Sequence, residues 1–243
     1  MHRKKLTLIM DADDTLWENN IYYEQCIANF VELMATQDFG REEVERTVDE
    51  VERERIPRVG YAPEEFARSL VIAYQRLCVS HNLLVSDEVE GKVWEIGRAV
   101  MEYPIVLLDG VEETLAQLNL SNRFRLLLLT KGDRAAQEDK LTRSGLTHFF
   151  DAVHIVPEKD AGVIRGLIAE YELRPEQTWV IGNSPRSDVN PALEAGIGAI
   201  YVPHPNTWTL EREEIARREQ VVTVECFGEL VDIFLETEGG MEA

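Results

Sequence analysis

Five apolar stretches along the chain are short and carry no strict alternation. Leu6-Thr7-Leu8-Ile9-Met10 stops at Asp11, Arg125 to Leu129 at Thr130, and Thr178 to Ile181 at Gly182. Ala152 to Val156 and Ala199 to Val202 have the same character. Runs of this length, apolar at successive positions, predict strands buried on both faces. Helical patterns separate them. One opens at Asp109-Gly110, and one runs from Asp133 to Ser144-Gly145. Others cover Asp160 to Tyr171, Pro191 to Ala195 (stopped by Gly196) and Cys226 to Leu235. Strands alternating with helices predict a parallel sheet covered on both sides, with ligands at the carboxyl ends of its strands.

The stretch from Glu18 to Tyr103 breaks this alternation, because it contains only helical patterns. Asn19 or Asn20 is placed to cap a helix running to about Thr36. A second helix is expected from Arg41 to Arg55, stopped near Pro57. Pro63 suits the first turn of a third that reaches Ser80, and Ser86 suits the cap of a fourth ending before Pro104. The expected fold class is therefore α/β: a Rossmann-like doubly wound parallel sheet, residues 1–17 and 104–243, with an all-helical insertion at residues 18–103.

Composition narrows the partners. The chain of 243 residues has a formal net charge of −20, so no basic face for nucleic acid is expected. No apolar run is long enough to span a membrane, and the apolar stretch after Lys5 is too short for a signal peptide. A cytoplasmic location is the expectation. Cys26, Cys78 and Cys226 are far apart and form no CxxC pair, so they read as buried structural thiols. The acidic runs at Glu42 to Glu45 and Glu211 to Glu214 are laced with arginine and read as solvated helix faces.

Candidate chemistry gathers at the strand ends. Asp11-Ala12-Asp13-Asp14-Thr15 follows the first strand, Thr130-Lys131-Gly132 a second, and Gly182-Asn183-Ser184-Pro185-Arg186-Ser187-Asp188 a later one. Lys159 stands just before a helix. Singly, each has an ordinary reading as a cap, a turn or a solvated side chain. Jointly, in this order, they suit phosphoryl transfer. Asp11 and Asp13 repel each other unless a cation lies between them, and oxygen-only ligands suit Mg²⁺. One carboxylate can attack phosphorus, and the other can move the proton. A hydroxyl and a lysine can hold the phosphoryl oxygens.

These residues resemble the haloacid dehalogenase superfamily of phosphohydrolases. Ile9 to Leu16 is similar to its hhDxDxT strand-loop. Thr130, Lys159 and Gly182 to Asp188 are similar to its second, third and fourth motifs. The resemblance implies a catalytic set of Asp11 (nucleophile and metal ligand), Asp13 (general acid/base), Thr130 and Lys159. Thr130 and Lys159 would also bind the phosphoryl group of a small phosphorylated substrate. It implies Mg²⁺ held by Asp11, Asp13, Asn183 and Asp188, and a helical cap in the insertion. The fourth motif commonly begins Gly-Asp. Asn183 carries no charge, which implies weaker metal affinity and heavier reliance on Asp188.

Alternatives stay open. A 2-haloacid dehalogenase attacks carbon and typically lacks an acid at the position of Asp13. A mutase or phosphotransferase passes the phosphoryl group to a hydroxyl in place of water. A non-catalytic binding protein on the same scaffold would have no need of Asp11 and Asp13. Trp17, Tyr22 and Tyr23 fit core or hinge packing as well as a pocket wall. Arg186 reads as a solvated loop residue and His204 as a turn residue, and His148 and His154 have no expected catalytic task.

Overall fold

The computed structural model describes residues 6–236. They form two compact units by contact, one running through Asn20 and resuming at Ile105, the other spanning Ile21–Pro104. Glu18 N–H donates to the Val106 carbonyl and Leu108 N–H to the Leu16 carbonyl, so outgoing and returning strands of chain are stitched together there.

The first unit holds six strands in the order β3-β2-β1-β4-β5-β6, each paired with its neighbour in parallel. They are β1 (Leu6–Met10), β2 (Phe124–Lys131), β3 (Ala152–Val156), β4 (Thr178–Gly182), β5 (Gly198–Tyr201) and β6 (Val221–Thr223). Successive side chains on a strand point to opposite faces, and both faces here are apolar. Leu8, Met10, Leu126, Leu128, Ile181 and Ile200 form one layer. Ile9, Leu127, Leu129, Val180 and Ala199 form the other. That two-sided burial is why the strands read as unbroken apolar runs.

Helices cover both layers. On the Leu8 face lie Val111, Leu115 and Leu118 of α5 (Val111–Leu120) and Leu141 of α6 (Arg134–Ser144). On the Ile9 face lie Ile164 and Leu167 of α7 (Ala161–Glu170) and Ala192 and Leu193 of α8 (Asn190–Ala195). Helices α6 and α7 start where a short polar side chain meets the first free amides. Asp133 accepts from Ala136 N–H and Asp160 from Val163 N–H, both at 2.9 Å.

The second unit packs α1 (Asn20–Ala35), α2 (Arg41–Val59), α3 (Pro63–Ser80) and α4 (Asp87–Arg98). Its core residues recur at helical spacing: Cys26, Phe30 and Met34; Val44, Val48 and Val51; Phe66, Leu70, Ala73 and Leu77; Val89 and Val93. Ser86 caps α4. Gly97 permits a close approach between α4 and α3, since a Cβ there would lie 2.5 Å from Ala67 Cα.

Four expectations need correction. Helix α2 runs past Pro57 to Val59. Pro57 removes an amide from the last turn only, beside exposed residues, so the orphaned carbonyl can take water. The final segment is a 3₁₀ turn at Phe227–Glu229 and a wide turn at Asp232–Glu236, in place of one regular helix. Glu229 folds back to accept from the Glu225 and Cys226 amides, which tightens its start. Cys226 is exposed, while Cys26 and Cys78 are buried. Strand β6 was not expected: its three residues are too few to show a period.

Gly97→Ala is expected to destabilise the helical unit by about 1–3 kcal/mol, because backbone must move to admit the methyl group. Urea denaturation followed by circular dichroism measures this, and an unchanged midpoint would contradict the close approach.

Candidate active site

Asp11 is the first residue beyond β1. Its N–H donates to the Ile181 carbonyl at 2.9 Å, extending the β1–β4 ladder by one bond and fixing the backbone at the sheet edge. Its carboxylate has two partners. Thr15 Oγ1 donates to Oδ2 at 2.8 Å, and Lys159 Nζ donates to Oδ1. The tight turn that returns Thr15 to Asp11 is closed by Thr15 and Leu16 N–H to the Ala12 carbonyl.

Lys159 reaches the edge from the loop between β3 and α7, placed by the Asp160 cap one residue later. The same ammonium donates to Asp188 and approaches the Leu129 carbonyl at 3.5 Å. Asp11, Lys159 and Asp188 are 6%, 5% and 1% exposed, so an acid-base-acid row lies almost wholly out of water. Burial alone would lower the Lys159 pKa. The two carboxylates outweigh it and hold the pKa above its ordinary value. Burial raises the Asp188 pKa, the charge of Asp11 adds to that, and Lys159 only partly offsets both.

The loop after β4 supplies the remaining parts. Asn183 N–H donates to Thr15 Oγ1 at 3.1 Å, tying this loop to the first. The Asn183 amide donates to Thr207 Oγ1 at 2.9 Å, and its Oδ1 lies 3.4 Å from the Thr15 hydroxyl. Asp188 Oδ2 accepts from Ser184 N–H at 2.9 Å. Gly182 must be glycine here, because a Cβ would sit 2.3 Å from the Asp188 carboxyl carbon. Thr130 is the penultimate residue of β2, next to Leu129, and is 2% exposed.

Of the residues singled out from sequence, Asp11, Asn183 and Asp188 are thus linked through Thr15 and Lys159, with Thr130 on the neighbouring strand. The Asp13 carboxylate faces elsewhere. It accepts from Trp17 Nε1 and Gln137 Nε2, each at 2.8 Å, and from Lys140 Nζ at 2.8 and 2.9 Å. Burial pushes the Asp13 pKa up, but the Lys140 ammonium and these hydrogen bonds prevail and bring it below the ordinary carboxylate range.

Sequence reasoning missed two supports. Lys140 sits three residues after Gln137 on α6, so both reach Asp13 from one helix face. That i, i+3 spacing was visible, but its target was not. Glu211 belongs to a run expected to be a solvated helix face. It lies instead in a 3₁₀ turn, buried, ion-paired with Lys131 and accepting from the Ser184 and Ser187 hydroxyls at 2.6 Å each. This locks the β4 loop that carries Asp188.

The donor set suits a hard divalent ion. Two buried carboxylates and the Asn183 amide offer oxygen donors only, with a single lysine shared between Asp11 and Asp188.

The family model for haloacid dehalogenase-like hydrolases matches residues 6–196. The chain belongs to that family. It is 33% identical over 82 residues to a phosphoserine phosphatase of Thermus thermophilus, covering 32% of this chain and 33% of that protein. It is 32% identical over 111 residues to a glyceraldehyde 3-phosphate phosphatase of Methanothermobacter thermautotrophicus, covering 43% of this chain and 48% of that protein. The matches thus span half or less of the curated relatives. A crystal structure of a haloacid dehalogenase-like hydrolase from Xanthomonas campestris superposes with a TM-score of 0.74 at 27% identity, covering 91% of this chain and 87% of that one.

Two outcomes follow. The Glu211 pKa is raised by burial but lowered further by Lys131 and the serine hydroxyls, to about 2 from an ordinary 4.5. A depressed carboxyl pKa stabilises the fold above pH 4.5, and the contribution is lost as pH falls towards 2. Glu211→Gln is expected to cost roughly 1–3 kcal/mol at pH 7 and much less near pH 2.5, as read by urea melts at both values. Equal costs at both would contradict the assignment. In Lys140→Met, the Asp13 carboxyl should titrate at a higher pH than in the native chain. Carbon-13 NMR of the labelled carboxyl reads this, and an unshifted titration would show that Lys140 does not hold it.

Proposed function

We propose that this protein is a Mg²⁺-dependent phosphatase that hydrolyses a small phosphate monoester through an aspartyl-phosphate on Asp11. The observation that carries the reading is the buried Asp11 carboxylate at the sheet edge, aimed by the Thr15 hydroxyl and the Lys159 ammonium. The phosphatases among its relatives support the same chemistry.

In the first step an Asp11 oxygen bonds to phosphorus, and the bond from phosphorus to the leaving oxygen breaks. Asp13 gives that oxygen its proton. In the second step water attacks phosphorus and Asp13 takes the proton back. The Asp11–phosphorus bond breaks, and phosphate leaves. Thr130 and Lys159 hold the phosphoryl oxygens throughout, and Lys159 also offsets the charge of Asp11. The Lys140 clamp favours ionised Asp13, the form the second step needs. To act as the acid, the side chain must leave that clamp as substrate arrives. When bound, Mg²⁺ would be held by Asp11, the Asp13 carbonyl, Asn183 and Asp188 and would supply positive charge that lets an anionic phosphate approach a carboxylate.

The presence of Asp13 disfavours 2-haloacid dehalogenation, which has no leaving oxygen to protonate. A panel of small phosphate monoesters, assayed for phosphate release with Mg²⁺ and with chelator, tests the proposal. Turnover is expected only with the metal, and Asp11→Asn should lower it on the order of 10³-fold or more. Halide release from chloroacids without phosphate release, or an active Asp11→Asn variant, would overturn it.

A further inference from the structure

Asp14 and Glu18 are four residues apart in the segment after β1, and His204 lies in the loop after β5. None has a task in the chemistry above. One ligand atom from each lies within 4.8 Å of the other two. The His204 side chain is 8% exposed and Asp14 7%, while Glu18 is 26% exposed. Two polar atoms of the group are buried without a hydrogen-bond partner, Nδ1 of His204 and Oε2 of Glu18. Buried polar atoms are ordinarily satisfied, so such orphans call for a ligand.

An ion pair does not account for the geometry. His204 Nδ1 stands 3.8 Å from Asp14 Oδ1, and Nε2 stands 3.4 Å from Glu18 Oε2. A protonated ring between two carboxylates would draw both into hydrogen bonds of about 2.7–3.2 Å. Tetrahedral ligands on one zinc ion stand roughly 3.4 Å apart, from bond lengths near 2.1 Å. The two histidine distances involve different ring nitrogens; a single ion would take one of them with one oxygen each from Asp14 and Glu18, a trio within 4.8 Å of one another that a side-chain rotation would draw in.

The donors are also held in advance. Asp14 adopts a left-handed backbone, φ 58°, and its carboxylate accepts from Asn19 N–H at 2.8 Å and Asn20 N–H at 3.1 and 3.2 Å. Lone pairs remain for a cation. His204 is flanked by Pro203 and Pro205, and its carbonyl accepts from both Thr207 N–H and Oγ1. Asn20 Nδ2 donates to the Asn206 carbonyl at 2.8 Å, fastening the two segments together.

We infer that Asp14, Glu18 and His204 bind one divalent transition ion of the zinc class, in addition to the oxygen-only site at Asp11. An imidazole with two carboxylates suits such an ion better than Mg²⁺, which takes oxygen ligands. Three protein ligands leave a position for water. The ion ties the segment through which the chain leaves the sheet unit to the loop after β5. This holds whether or not Asp11 is a nucleophile.

The test is Zn²⁺ titration of the metal-stripped full chain with Mg²⁺ in excess, followed by calorimetry and by NMR of the histidine ring protons. One Zn²⁺ per chain is expected, with the His204 ring signals shifting to saturation at one equivalent. Asp11→Asn should bind equally well, and His204→Gln at least 100-fold more weakly. Should His204→Gln fail to fold, Glu18→Gln, on the more exposed side, is expected to bind at least tenfold more weakly. No shift of the His204 signals, or undiminished binding in Glu18→Gln, overturns the inference.

Discussion

The structure depends on one buried ammonium shared by two buried carboxylates. Lys159 touches Asp11 and Asp188 from a loop belonging to neither. Charges removed from water are costly unless paired, and removing one partner strands the others. Three loops, after β1, β3 and β4, must therefore arrive together. The parallel sheet makes this possible, because it brings the carboxyl ends of those strands to the same edge.

The same economy of charge extends around the site. The chain has six lysines, and three of them, Lys131, Lys140 and Lys159, lie here. Each fixes one acidic partner or set: Lys159 the Asp11–Asp188 pair, Lys140 the Asp13 carboxylate, Lys131 the Glu211 buttress. A strongly acidic protein thus gathers local positive charge where an anion would have to bind. The lysines position carboxylates as much as they attract phosphate.

The sheet and the helices covering it were legible because two-sided burial leaves a local signature. Leu6 to Met10 is apolar at nearly every position for a reason visible in the layers above and below it. Asp11, Thr130, Lys159 and Asp188 stood out through order and spacing at strand ends. What escaped was held by contacts between distant segments. Lys140 reaches Asp13 across more than a hundred residues, and Glu211 is buried only because Lys131 and two serines surround it. His204 looked like a turn residue, since nothing nearby in sequence marks Asp14 and Glu18 as its neighbours.

The proposed chemistry rests on Asp11 as the group that bonds to phosphorus. Beryllofluoride mimics a phosphoryl group on a carboxylate and needs no knowledge of the substrate. Fluorine NMR of the native chain with Mg²⁺ and beryllofluoride should show a slowly exchanging bound signal that is absent without the metal and absent in Asp11→Asn. A native chain with no bound signal, or a signal that survives the loss of the Asp11 carboxylate, would contradict it.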